Sequence, residues 1–218
     1  MYAKRLVGIV LFVLAGLVQA APKIEHWTLD NGARVYFVRT SELPLLQLRV
    51  VFDAGSSRDP AEREGAAVYT GHMLNFGAGA HDADAIAAGF ENLGAEFNTA
   101  VDRDMAAIDL RSLSERKLLQ PALDLFATVI AEPTFPQDAF ERERARGLVA
   151  LQRDAQQPDV VADKAFLRRL YGTHPYAHHP SGTEESLTRL TRDDLRAHHQ
   201  RYYTGANAWL AMVGDVTV

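Results

Sequence analysis

Between residues 24 and 52 apolar and polar positions alternate with a period of two, the pattern of strands buried on one face only. Ile24-Glu25-His26-Trp27-Thr28-Leu29 meets the turn signal Asp30-Asn31-Gly32, and Val35-Tyr36-Phe37-Val38 returns as the second arm of a hairpin. Leu45 to Phe52 reads as a third strand, with Leu46, Leu48, Val50 and Phe52 on one face and Gln47 and Arg49 on the other. A loop from Ala54 to Pro60 then leads into a helix expected over about residues 62 to 75. From Asp82 to Leu93 the period changes to that of a helix, with Ile86, Phe90 and Leu93 on one side and Gly94 as the stop.

The segments 94–102 and 105–110 read as paired strands. Ser114 to Ala131 is mainly helical, with Ser114 as the candidate cap and Pro121 expected to kink the helix or mark where its main part begins. Pro136 to Gln156 is a long charged helix stopped by Pro158, and Asp159 to Tyr171 is another. A loop from Gly172 to Thr183 follows, then a helix opened by Thr191 as N-cap, and a closing strand over Asn207 to Val213. Strands first, then helices, then a late strand describe an α+β domain: a mostly antiparallel sheet with helices packed on one face.

The N-terminal segment predicts export of this domain from the cytoplasm. Lys4 and Arg5 precede 13 apolar residues from Leu6 to Val18 and a Val-x-Ala site ending at Ala20, the form of a secretory signal peptide cleaved after that residue. The apolar run is short of the ~20 residues that span a bilayer. Residues 1–20 are thus expected to be removed and 21–218 to form one domain in a periplasm, with no remaining membrane span. Cleavage removes two positive charges and moves the formal net charge from −5 to −7. No basic cluster offers itself to nucleic acid, and with no Cys in the chain stability rests on packing.

The candidate chemistry lies in Gly65-Ala-Ala-Val-Tyr-Thr-Gly-His-Met-Leu-Asn-Phe-Gly77. This stretch resembles the zinc-binding segment of the insulinase or pitrilysin (M16) metallopeptidases, where His-x-x-Glu-His follows a Gly and precedes Met-Leu-x-x-Gly. In that motif histidines at i and i+4 share a zinc and the Glu polarises its water. Here the slots hold Val68, Gly71 and His72. A valine has no lone pair for zinc, and a glycine cannot take a proton. Other elements follow in family order: Leu29-Asp-Asn-Gly32, Gly94-Ala-Glu-Phe-Asn98-Thr, Tyr171-Gly-Thr-His-Pro-Tyr176, Gly182-Thr-Glu-Glu-Ser186, and Tyr202-Tyr-Thr-Gly-Ala-Asn207 with Gly214-Asp215.

The family's third ligand is a Glu on a later long helix, with an accessory acid about two turns before it. Aligned on Glu143, the ligand slot falls on Ala150, or on Val149 with a shift of one. The resemblance therefore implies the fold with no catalytic residue and no zinc, only His72 and Glu143 persisting. Read from the residues alone, Glu141, Arg142, Glu143 and Arg144 form a solvated helical face. His174, His178 and His179 sit together and His198-His199 lie on a later helix. His178 and His179 have the spacing of a loop metal site, but adjacent imidazoles usually point apart and no acidic partner falls at a telling offset. No Ser or Cys nucleophile motif or phosphate-binding Gly loop is present.

Active family members close two homologous halves around peptide. By resemblance this chain is a non-catalytic half, partnered by an active zinc subunit or a second half, and its domain is expected to continue past Val218. The strand Asn98-Thr99-Ala100-Val101 is the matching edge for a peptide added as an extra strand, or simply completes the sheet. Two other readings stand beside this one: an active zinc endopeptidase with unrecognised ligands, and a peptide-binding or assembly protein that acts alone.

Overall fold

A computed structural model describes residues 22–217, so the leader expected over residues 1–20 lies outside the described residues. The first strands fall where the alternation places them: β1 (Glu25–Thr28), β2 (Arg34–Arg39) and β3 (Leu45–Phe52). They join β6 (Glu96–Val101), β7 (Ala106–Leu113) and β8 (Ala208–Gly214) in one six-stranded sheet of order β1-β2-β8-β3-β7-β6. Every pairing is antiparallel except β2 with β8, so the last strand slots into the middle of the sheet. A small ladder of β4 (Gly77–Ala78) and β5 (His81–Asp82) stands apart.

Seven helices are present among the described residues: α1 (Ala66–His72), α2 (Ala83–Asn92), α3 (Arg116–Ala131), α4 (Gln137–Asp154), α5 (Pro158–Tyr171), α6 (Glu184–Arg189) and α7 (Arg192–Tyr202). The sheet's inner face, including Leu48, Val50, Phe52, Ile108 and Leu110, shares one core with Phe90, Phe126, Val129, Phe140 and Leu195 of the helices. Gln47 and Arg49 lie exposed on the other face, where Arg49 grips Asp109 through two bonds of 2.7 and 2.9 Å. An α+β domain with a mostly antiparallel sheet and its helices against one face is what the pattern predicts.

Several boundaries differ from the expectation. The helix expected over 62–75 holds α-geometry only over 66–72, because 3₁₀ turns at Ala61–Arg63 and Leu74–Phe76 take up its ends. Ser114 does not cap α3; Glu115 stands at the N-cap without a side-chain bond, and the Ser114 amide donates to Pro44 O, just before β3. Pro121 sits within a helix that begins at Arg116, where burial of Ala122, Phe126 and Val129 offsets one lost backbone bond. α6 was not foreseen. Thr183 and Ser186 cap it reciprocally, a pairing whose Thr-x-x-Ser signal is weaker than one ending in Glu or Gln.

α1 is the element that positions the site, and three contacts hold it. At its start the Asp59 carboxylate accepts from the Gly65 and Ala67 amides, both at 2.8 Å. On one side Gly71 lies so close to β6 that an added Cβ would overlap Val101 Cγ2. On another, the Tyr69 hydroxyl lies directly over Gly147 of α4, where a Cβ would coincide with it. Glycine costs a helix interior roughly 1 kcal/mol against alanine, and these two are needed for close approach.

Beneath Asp59 lies His198, also buried, with Nδ1 3.9 Å from Asp59 Oδ1. Its Nε2 is 3.2 Å from the Ala54 carbonyl, which only accepts, so Nε2 carries the proton. Burial pushes Asp59 up to about 7 against the two amide bonds, and pushes His198 down to about 4.

Two predictions follow from this packing. Gly71→Ala is expected to lose about 1–3 kcal/mol by overpacking despite alanine's better helix propensity. Val101→Ala in the same chain should recover part of that loss, giving a coupling of about 1 kcal/mol or more in urea unfolding; strict additivity would contradict the interlock. For His198 the folded value lies below the ordinary 6.5, so its contribution is intact above pH 6.5 and is lost as pH falls through about 4. Asp59 works in the opposite sense, its protonated form favouring the fold at low pH with loss as pH rises toward 7. Relative to His198→Gln, which leaves Asp59 in place, the native chain should lose up to about 3 kcal/mol between pH 6.5 and 4. Parallel pH profiles of thermal unfolding for the two chains would refute this.

Candidate functional site

Beside the face that meets β6 at Gly71, α1 has a second face that looks across at α4. Residues 68 and 72 are one turn apart and share this face, and α4 presents Glu143, Arg146 and Ala150 to it from positions on one side of its own axis. Between the two helices opens a cavity of about 290 Å³. Its walls are Val68, Tyr69, Gly147, Ala150 and Leu151, with His72, Glu143, Arg146, Asp154 and Ser181 as its more polar residues.

His72 and Glu143, the two residues left from the family motif, are brought together: His72 Nε2 lies 3.1 Å from Glu143 Oε2. Glu143 is buried, so the solvated face expected from the charged run 141–144 does not hold for it. Arg142 and Glu141 are exposed and bond to Asp138 and Gln137 one turn earlier, as such a face would. Arg144 instead donates to the Leu190 carbonyl at 3.1 Å. The residue that sequence reasoning missed is Arg146, whose Nη1 donates to Glu143 Oε1. Its signal was available in the i, i+3 spacing of opposite charges on one helix.

The carboxylate of Glu143 thus has one oxygen facing an imidazole and the other a guanidinium. Asp154 has Lys164 Nζ at 3.9 Å. Burial first, then the Glu143 charge, holds the Tyr69 phenol above its ordinary value. Ala150 lines the cavity whereas Val149 is exposed to solvent, so of the two it is Ala150 that shares the cavity with His72.

Zinc does not fit this donor set. A catalytic zinc takes three protein ligands. Val68 and Ala150 offer no lone pair, His72 is one donor, and Glu143 is already neutralised by Arg146. The general-base position is closed as well, since the space next to Gly71 is filled by Val101 and by the buried Tyr203 hydroxyl, which has no hydrogen-bond partner among the described residues.

Three of the later histidines, His174, His179 and His199, have hydrogen-bond partners. His174 Nδ1 accepts from the Tyr176 amide, and His179 Nδ1 accepts from Ser181. His179 lies below its ordinary value through burial and then Lys164. His178 Nδ1 faces Glu64 at 3.7 Å, and His199 donates from Nε2 to Ile130 O at 2.7 Å. Among the described residues no group of three or more His, Cys, Asp or Glu converges as a metal cage.

The expected edge, Asn98-Thr99-Ala100-Val101, lies in β6, the last strand of the sheet, which among the described residues pairs with β7 on one side only. It runs beside α1 through the Gly71–Val101 contact. Asn98 and Ala100 are exposed; Thr99 and Val101 are half-buried on the helix side.

Comparison with known proteins gives a consistent result. The family profile described as Insulinase (Peptidase family M16) matches residues 34–184. The chain is 29% identical over 203 residues to cytochrome b-c1 complex subunit 1 of Bos taurus, covering 93% of this chain and 42% of that protein. It is 27% identical over 205 residues to a probable mitochondrial-processing peptidase subunit beta of Schizosaccharomyces pombe, covering 91% and 43%. The chain therefore spans less than half the length of these relatives. Among solved structures, a peptidase M16 inactive domain from Pseudomonas fluorescens superposes with a TM-score of 0.87 at 42% identity, over 89% of this chain and 47% of that one. With its sheet order, its vestigial motif and a profile match over most of its length, this chain belongs to the insulinase family of M16 peptidases.

Proposed function

We propose that this protein is an exported, catalytically silent M16 half that binds peptide along β6 and works with a zinc-bearing M16 subunit or half. One observation carries the reading: the positions that would hold zinc and its base are Val68, Gly71 and Ala150, and the remaining acid, Glu143, is bound by Arg146 rather than left free for a metal. The 42% identity to a domain reported as inactive supports it, as does the likeness to proteins named as subunits of larger complexes. Export rests on the leader, with cleavage after Ala20 and a periplasmic destination. Peptide recognition rests on the side of β6 left unpaired among the described residues, since an added strand gains backbone hydrogen bonds with little demand on sequence.

The purified chain should bind extended peptides and release them uncut after prolonged incubation with zinc. N-methylation of alternate peptide amides should abolish binding for one set, the set facing β6, and spare the other. Cleavage by the chain alone would support an active enzyme with other ligands. Equal binding of both N-methylated sets would remove the edge-strand reading, and failure to co-purify with any M16 peptidase from its source would favour a protein that acts alone.

A further inference from the structure

Val68 and Ala150, which depart from the zinc motif, line a cavity and not a filled core. Val68 and Ala150 are smaller than the histidine and glutamate of the motif they depart from, and nothing among the described residues has moved in to occupy the 290 Å³ between α1 and α4. Its floor is apolar: Val68, Ala150, Leu151 and the Tyr69 ring. Its charges are closed on one another. Glu143 is shared between His72 and Arg146, and Asp154 has Lys164 beside it. A charged guest would have to break one of these pairs, whereas an uncharged one would leave them intact.

The position of this cavity relative to β6 decides what can reach it. A strand added to β6 lies about 4.8 Å outside it, with alternate side chains pointing to opposite faces. α1 touches β6 at Gly71, and the cavity-lining Val68 and His72 lie three residues before and one residue after that contact. Every second side chain of the added strand therefore faces the helical layer, to which α1 with its cavity-lining Val68 and His72 belongs. We infer that the former metal site is a specificity pocket for one uncharged aliphatic or aromatic side chain of the bound peptide. This rests on the edge-strand reading, and it adds a preference that backbone pairing alone cannot supply.

The test uses fluorescently labelled seven-residue peptides of one β-forming sequence with a single guest position scanned along the chain, the guest being Gly, Leu, Lys or Glu. At one position Leu should bind about tenfold tighter than Gly, the factor that burial of such a side chain gives, with Lys and Glu no better than Gly. Ala150→Phe fills the cavity and should bring the leucine peptide down to the glycine peptide's affinity in that same variant; Val68→Leu, a smaller change, should reduce the difference. Equal binding of Leu and Gly by the native chain would overturn the pocket, as would a leucine advantage that survives in both variants. Either result, with the glycine peptide still bound and still sensitive to N-methylation, leaves the edge-strand reading standing. Loss of that sensitivity, or no binding of any peptide, overturns both.

Discussion

The site depends on how closely α1 is held between β6 and α4. Gly71 lets the helix come down on Val101, and Gly147 lets Tyr69 lie across α4. Each glycine weakens its own helix, by an amount that only tertiary contact can offset. The Asp59 cap fixes where α1 starts, so the helix has little freedom to slide or turn. Its 68/72 face is thereby aimed at α4, and the cavity follows from that arrangement.

Within this frame the polar groups at the motif positions pair with one another. A metal site gathers lone pairs around a cation that the protein does not itself supply. Here the cation near Glu143 is the guanidinium of Arg146, on the same helix, and the imidazole of His72 completes the arrangement. Arg146 is largely exposed, so its pairing is worth little as stability; its effect is to leave the buried carboxylate satisfied. Removal of the base goes further than a missing carboxylate, because Val101 now fills the space beside residue 71. Restoring the motif residues alone would meet that side chain.

Much of the fold was legible in the sequence, because it follows from local periodicity. The inward set Leu46, Leu48, Val50 and Phe52 is buried as the alternation requires, Asp82 caps α2 by accepting from Ala85, and Gly94 takes the positive φ that ends it. What was not legible depends on distant parts of the chain. Nothing local says that β8 inserts beside β2 in parallel, or that the Ser114 amide is taken by Pro44. At the site, the emptied slots were readable because they are statements about residue type. The burial of Glu143 was not, since a run of alternating charge reads as solvent-facing until the packed α1 is known to cover it. Tyr69 and Gly147 are 78 positions apart, and neither signals the other.

The central claim is that a scaffold shaped for a divalent cation no longer grips one. The most direct measurement is the zinc content of the purified chain by atomic emission, after equilibration with micromolar zinc and gel filtration at neutral pH. The account predicts far less than one zinc per chain, unchanged by His72→Ala. One retained zinc per chain, lost in His72→Ala, would contradict it.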